Sequence, residues 1–231
     1  MSEALARSAP EEAHGLTWQK VFLGDWSKYI RDPLDVLRLI FIAATLVWGL
    51  TGHPWTQVLG ASLVLIAARA ADLPRFYDFS LIVVMTLVGW GEALGIYDSW
   101  RYYDNVVHTT VPLLLTGVVY VFMIRLQVMP ELRDLNRTSQ RIGFWLTVLM
   151  MGMAIGAAWE IVEWTLDSTT GSHLIVSTTD TATDLIWDTI GSAGAATILV
   201  LWSLGNHSLR RRPGAALANK PFNSFLSVST R

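Results

Sequence analysis

The chain has no cysteine, and only 16% of its 231 residues are charged. The first absence excludes disulfides, thiolate metal sites and a cysteine nucleophile, and it leaves the redox compartment open. The second, beside 52% hydrophobic residues, 11 Trp and a mean hydropathy of +0.39, excludes an average soluble domain. A net charge of −2 provides no basic footprint, so no nucleic-acid partner is expected. A basic start followed by an apolar h-region is missing too. The chain begins Met-Ser-Glu-Ala-Leu-Ala-Arg, so no cleaved signal peptide is expected and the first spanning helix serves as the insertion signal.

What is present is a polytopic, all-α pattern. Six apolar segments, near 34–51, 55–72, 77–97, 102–126, 141–166 and 179–204, each have the roughly 17–25 residues a spanning helix needs. Residues 1–16 read as a disordered tail. From 17 to 33, Trp18, Val21, Phe22, Trp26, Tyr29 and Ile30 recur at three- and four-residue spacing, which predicts a short amphipathic helix in the membrane interface. Residues 34–205 form the six-span domain, and 206–231 a basic tail. Arg38 and Arg69 stand near the ends of the first two spans, where long side chains snorkel to the headgroups.

Counting Lys and Arg in alternate loops orients the chain. With the N-terminus in the cytoplasm, 16 of the 17 basic residues fall inside and only Arg101 outside. Both termini are then cytoplasmic, in a bacterial cytoplasmic (inner) membrane. The same topology brings the acids of four helices to one depth, in the outer half of the bilayer.

Those acids are patterned. Asp180, Asp184 and Asp188 at i, i+4 and i+8 lie within about 80° of one helix face, over about 12 Å of axis. A lone carboxylate at mid-bilayer costs about 2.5–3.5 kcal/mol, so such a stripe needs a polar interior. Glu160, Glu163 and Asp167 at i, i+3 and i+7 share a face of the fifth span, Asp104 and His108 at i and i+4 share a face of the fourth, and Glu92 closes the third. Facing helices that carry carboxylates and an imidazole at matching height are the geometry from which bundles build metal sites. The metal set is thus Asp104, His108, Glu160, Glu163, Asp167, Asp180, Asp184 and Asp188. So many oxygens against one core imidazole favour Mg²⁺, Mn²⁺ or Ca²⁺ over Zn²⁺. His53 and His173, in outer loops, offer further nitrogen ligands.

A blander account has the acids sharing protons in a hydrogen-bonded network, with Asp180 only capping its helix. Gly152 and Gly156 form a GxxxG and, like the small residues from Gly191 to Ala196, suit close helix packing. Trp159 and Trp164 read as interface anchors.

Tyr103-Asp104-x-x-x-His108, then Trp159-Glu160-x-x-Glu163-Trp164, then Asp180-x-x-x-Asp184-x-x-x-Asp188-x-x-Gly191 resemble, in that order, the bacterial YjdF-like family of inner-membrane proteins, with a looser likeness of layout to VanZ-like proteins. The resemblance spans roughly 35–205. It implies the fold and the residue set and supplies no reaction. The Asp180 stripe is also similar to the Asp-rich run of UbiA-like prenyltransferases, which have nine spans. The Asp-Gly-x-x-Ala-Arg element of CDP-alcohol phosphotransferases is absent, so both likenesses are of chemistry only.

Three functions stay open on the sequence. One is a metal-dependent enzyme on a phosphate-containing lipid or isoprenoid carrier, with His108 or Glu163 as general base. Another is a proton or divalent-cation transporter, against which Thr86, Thr116 and Thr147 stand isolated in the inner halves of the spans. The last is a non-catalytic membrane scaffold.

Overall fold

The computed structural model describes residues 30, 32–71, 73–125, 128–170 and 177–204. The tails at 1–16 and 206–231, His173 and nearly all of the interfacial helix expected over 17–33 lie outside the described residues. Among those described, every regular element is helical. The order is α1 (Pro33–Leu50), α2 (Thr56–Ala71), α3 (Arg75–Ala93), α4 (Ile96–Ser99), α5 (Tyr103–Arg125), a 3₁₀ turn (Leu132–Asp134), α6 (Thr138–Thr170) and α7 (Thr178–Leu204).

Five of these helices, α1, α3, α5, α6 and α7, are long and apolar enough to cross a membrane. α2 is the short sixth, at 16 residues or about 24 Å of axis. The outward surface is apolar, with Ile40, Leu50, Met150, Ile161 and Ile186 all more than half exposed. In water such a surface would be a liability; in a bilayer it is the solvent-facing side. The chain is an all-α, polytopic membrane bundle.

Local signals start and stop the helices. Asp32 caps α1, its side chain accepting from Leu34 N at 2.9 Å, and Pro33 takes the first turn, where a missing N–H costs nothing. α3 ends at Ala93, short of the residue 97 expected, because Gly95 adopts φ +63 and turns the chain into the one-turn α4. α7 is capped by Ser177, whose Oγ accepts from Asp180 N at 3.1 Å. The capping role expected of Asp180 belongs to Ser177.

α5 and α7 pack closely, as do α6 and α7, and α3 joins this trio to α1 and α2. Glycines allow the approach. A Cβ on Gly191 would collide with the Thr109 carbonyl of α5, and one on Gly156 with the Asp188 carboxylate of α7. Tyr103 sets the start of α5: its ring fills the space at Gly91 and its hydroxyl donates to Leu87 O at 2.9 Å. That anchor fixes the turn carrying Asp104 and His108. The apolar core, including Leu65, Leu81, Val118, Val121, Val148 and Leu199, fills the middle of the bundle. Charged side chains gather beyond it at both ends.

Candidate functional site

The N-terminal turns of α5 and α7 and the C-terminal half of α6 meet at one end of the bundle, which we term the acid end. His108 is its centre. Nδ1 lies 3.2 Å from Asp188 Oδ1 and 3.9 Å from Glu160 Oε1, and Nε2 lies 3.5 Å from Asp104 Oδ1. The imidazole thus presents its two nitrogens to two different acid groups. Atoms of Asp104, His108 and Asp184 lie within 4.8 Å of one another, and so do atoms of His108, Glu160 and Glu163.

Burial makes this arrangement costly. His108, Glu160, Asp184 and Asp188 are 4%, 7%, 4% and 2% exposed. Both oxygens of Glu160, Asp184 Oδ1 and Asp188 Oδ2 are buried with no hydrogen-bond partner among the described residues. Two unit charges about 5 Å apart repel by about 3 kcal/mol at an effective dielectric of about 20, and five carboxylates face one imidazole here. Four orphaned carboxylate oxygens converging on one imidazole form an oxygen-rich donor set that fits a hard divalent cation. Among the described residues two groups could hold it, Asp104–His108–Asp184 and His108–Glu160–Glu163, and Asp188 belongs to neither but lies against His108 Nδ1.

The other residues singled out in the sequence fall differently. Asp167 and Asp180 are half-buried and belong to neither triad. Glu92 is exposed on α3. His53 stacks on Trp48 with ring centroids 4.2 Å apart, which occupies its ring in the loop after α1. Trp159 and Trp164 point outward, 41% and 63% exposed, as anchors do. Arg101, the one basic residue expected on this side, sits over the Tyr102 ring at 5.6 Å and is exposed. Among the described residues, His108 is the one basic side chain that faces these acids.

A second charged cluster lies at the opposite end, and the sequence reading missed it. Arg38 and Arg69 do not snorkel: they are 4% and 6% exposed. Arg38 pairs with Asp35 at 2.9 Å and with Asp78 of α3, and Arg69 Nε reaches Asp35 at 3.1 Å. Exposed Arg75 lies 3.7 Å from Asp32 at the edge. These arginines face inward because Asp35 and Asp78 are there to meet them. Acids so early in α1 and α3 were themselves the available signal.

A family model described as "Predicted membrane protein (DUF2238)" matches residues 34–205. No curated protein and no solved structure matches the chain.

Proposed function

Proceeding from the chain's membership of this predicted membrane protein family, we propose that it is a divalent-cation-dependent enzyme acting on a phosphate-containing lipid or isoprenoid carrier at the outer leaflet of a bacterial cytoplasmic membrane. The six-span domain over 34–205 carries the chemistry, and both termini face the cytoplasm. The observation that supports this most is the convergence of Glu160 and Asp188 on His108, beside Asp184, with four carboxylate oxygens that have no hydrogen-bond partner among the described residues. When bound, a divalent cation such as Mg²⁺, Mn²⁺ or Ca²⁺ supplies the positive charge that phosphate oxygens need.

The chain's own residues do the rest. With the cation held by the carboxylates alone, Asp188 and Glu160 fix the Nδ1 side of His108 and leave Nε2 toward Asp104 and the more open rim, where a proton is taken up as general base. Half-buried Glu163 is the second base candidate. The test is phosphate release from a polyprenyl diphosphate in detergent or nanodiscs with Mg²⁺ or Mn²⁺. Turnover is expected for the wild type, and a loss of at least about 100-fold for His108→Ala, the usual size of a lost acid–base catalyst. Equal rates for wild type, His108→Ala and Asp184→Asn would refute it.

A second reading, cation transport through the same centre, is favoured by one observation. Thr116, isolated in the sequence, and Ser192 both border the bare face of Gly152 in the interior, a turn beyond Asp188.

A further inference from the structure

Polar positions continue past the acid centre on the sides of α5 and α7 that pack together. On α5, His108, Pro112, Thr116 and Tyr120 follow at four-residue steps, and on α7 so do Asp184, Asp188 and Ser192. Each row winds slowly along one side of its helix. α6 presents Gly152 at that level. A Cβ on Gly152 would collide with Ser192 Oγ and lie 2.8 Å from Thr116 Oγ1, so both hydroxyls converge on one spot a turn beyond Asp188.

The hydrogen bonding there is incomplete. Ser192 Oγ donates to Asp188 O at 2.6 Å. Thr116 Oγ1 is fully buried and has no partner among the described residues. Pro112 has no N–H, so the His108 carbonyl four residues earlier is released from the helix ladder and is an acceptor between His108 and Thr116. Farther along, the Tyr77 ring of α3 lies against the bare face of Gly117, the residue after Thr116, and its buried hydroxyl is likewise unpartnered. Tyr120, a turn beyond Thr116, donates to Pro130 O at 2.6 Å in the connection at the opposite end. Thr86 and Thr147 stay outside this row, each donating to its own helix four residues back.

A buried hydroxyl left unpaired keeps the desolvation cost that a hydrogen bond would offset. Two of them stand within a turn of each other along α5, Thr116 toward Gly152 of α6 and Tyr77 of α3 against the adjacent Gly117 face, between the acid centre and the Pro130 carbonyl that Tyr120 reaches. We propose that Ser192, Thr116, Tyr77 and Tyr120, with intervening water, form a proton path leading from the acid centre through the bundle interior. This rests on the transport reading above and narrows its cargo, because single hydroxyls give no cage of six to eight oxygens for a divalent ion. Each hydroxyl accepts a proton on a lone pair from one neighbour and releases its own to the next. One O–H bond forms for each that breaks, and no oxidant or reductant is needed.

The test uses the full-length protein in liposomes with an entrapped pH-sensitive dye, a K⁺ gradient and valinomycin. The wild type should move protons faster than protein-free liposomes. Thr116→Val and Tyr77→Phe, which remove one hydroxyl at nearly constant shape, should each slow the flux about tenfold, as the loss of one hydrogen-bonded link does. Thr116→Ser keeps the hydroxyl and should keep the rate, which separates the path from a folding defect. Wild-type flux that both hydroxyl-deleting variants retain would overturn the path and leave transport standing. Wild-type flux no greater than that of protein-free liposomes would overturn both, and would leave the enzyme reading untouched.

Discussion

The bundle buries charge at both ends, and the two ends are built on opposite principles. At one, Arg38 and Arg69 meet Asp35 and Asp78, so cations and anions are matched in number and direction. At the other, Asp104, Glu160, Glu163, Asp184 and Asp188 surround a single imidazole. Both sets stand close to an apolar core, where desolvation costs several kcal/mol per ion before any pairing is counted. The matched set balances its charge, although Arg38 Nε is buried with no hydrogen-bond partner among the described residues, and it reads as a clamp on α1, α2 and α3. The unmatched set leaves five carboxylates to one imidazole, which is why the cation proposed above is assigned to this end.

Mutations at the two ends should therefore have opposite signs. Breaking the clamp leaves an uncompensated buried charge, so Arg38→Met or Asp78→Leu should cost about 3–5 kcal/mol of stability in detergent, read by thermal or denaturant melting. Asp184→Asn should be neutral or stabilising in cation-free buffer, since it removes a repelling charge. If Arg38→Met proved harmless and Asp184→Asn ruinous, the contrast would be inverted.

Cations sharpen the same comparison. Adding Mg²⁺ or Mn²⁺ to about 100 times its dissociation constant should stabilise the wild type by about 2.7 kcal/mol, and EDTA should reverse this. Arg38→Met should keep that increment while Asp188→Asn loses it. A cation effect that survives Asp188→Asn would move the binding site elsewhere.

Smaller effects test how the acid end is held. Gly156→Ala sets a methyl against the Asp188 carboxylate and should cost about 1–3 kcal/mol, whereas Gly60→Ala, with open space around it, should stabilise α2 by about 0.5–1 kcal/mol. Tyr103→Phe loses the bond to Leu87 O and should cost about 1 kcal/mol. Melting curves of the three variants rank them directly.

Much of this was legible in the chain itself. Apolar run length located the spans to within a few residues at most ends, because a bilayer demands about 20 apolar residues per crossing whatever the tertiary contacts. The four-residue spacing of Asp180, Asp184 and Asp188 marked one face of α7, although only packing could separate buried Asp184 and Asp188 from half-buried Asp180. Arg38 was misread because snorkelling is the cheap answer for a lone arginine near a helix end, and its partner Asp78 is 40 residues away. Thr116 seemed isolated because its neighbours Gly152 and Ser192 come from other helices. The short α4 was missed because one helical turn leaves no periodic signal.

Whether the acid end binds a cation decides between a working centre and a merely buried cluster of acids. Elemental analysis of the purified full-length protein, set beside Asp184→Asn and Asp188→Asn, asks that directly. A divalent metal retained by the wild type and lost from both variants is the predicted result. A wild type free of metal, and indifferent in its melting to added Mg²⁺, Mn²⁺ or Ca²⁺, would contradict it.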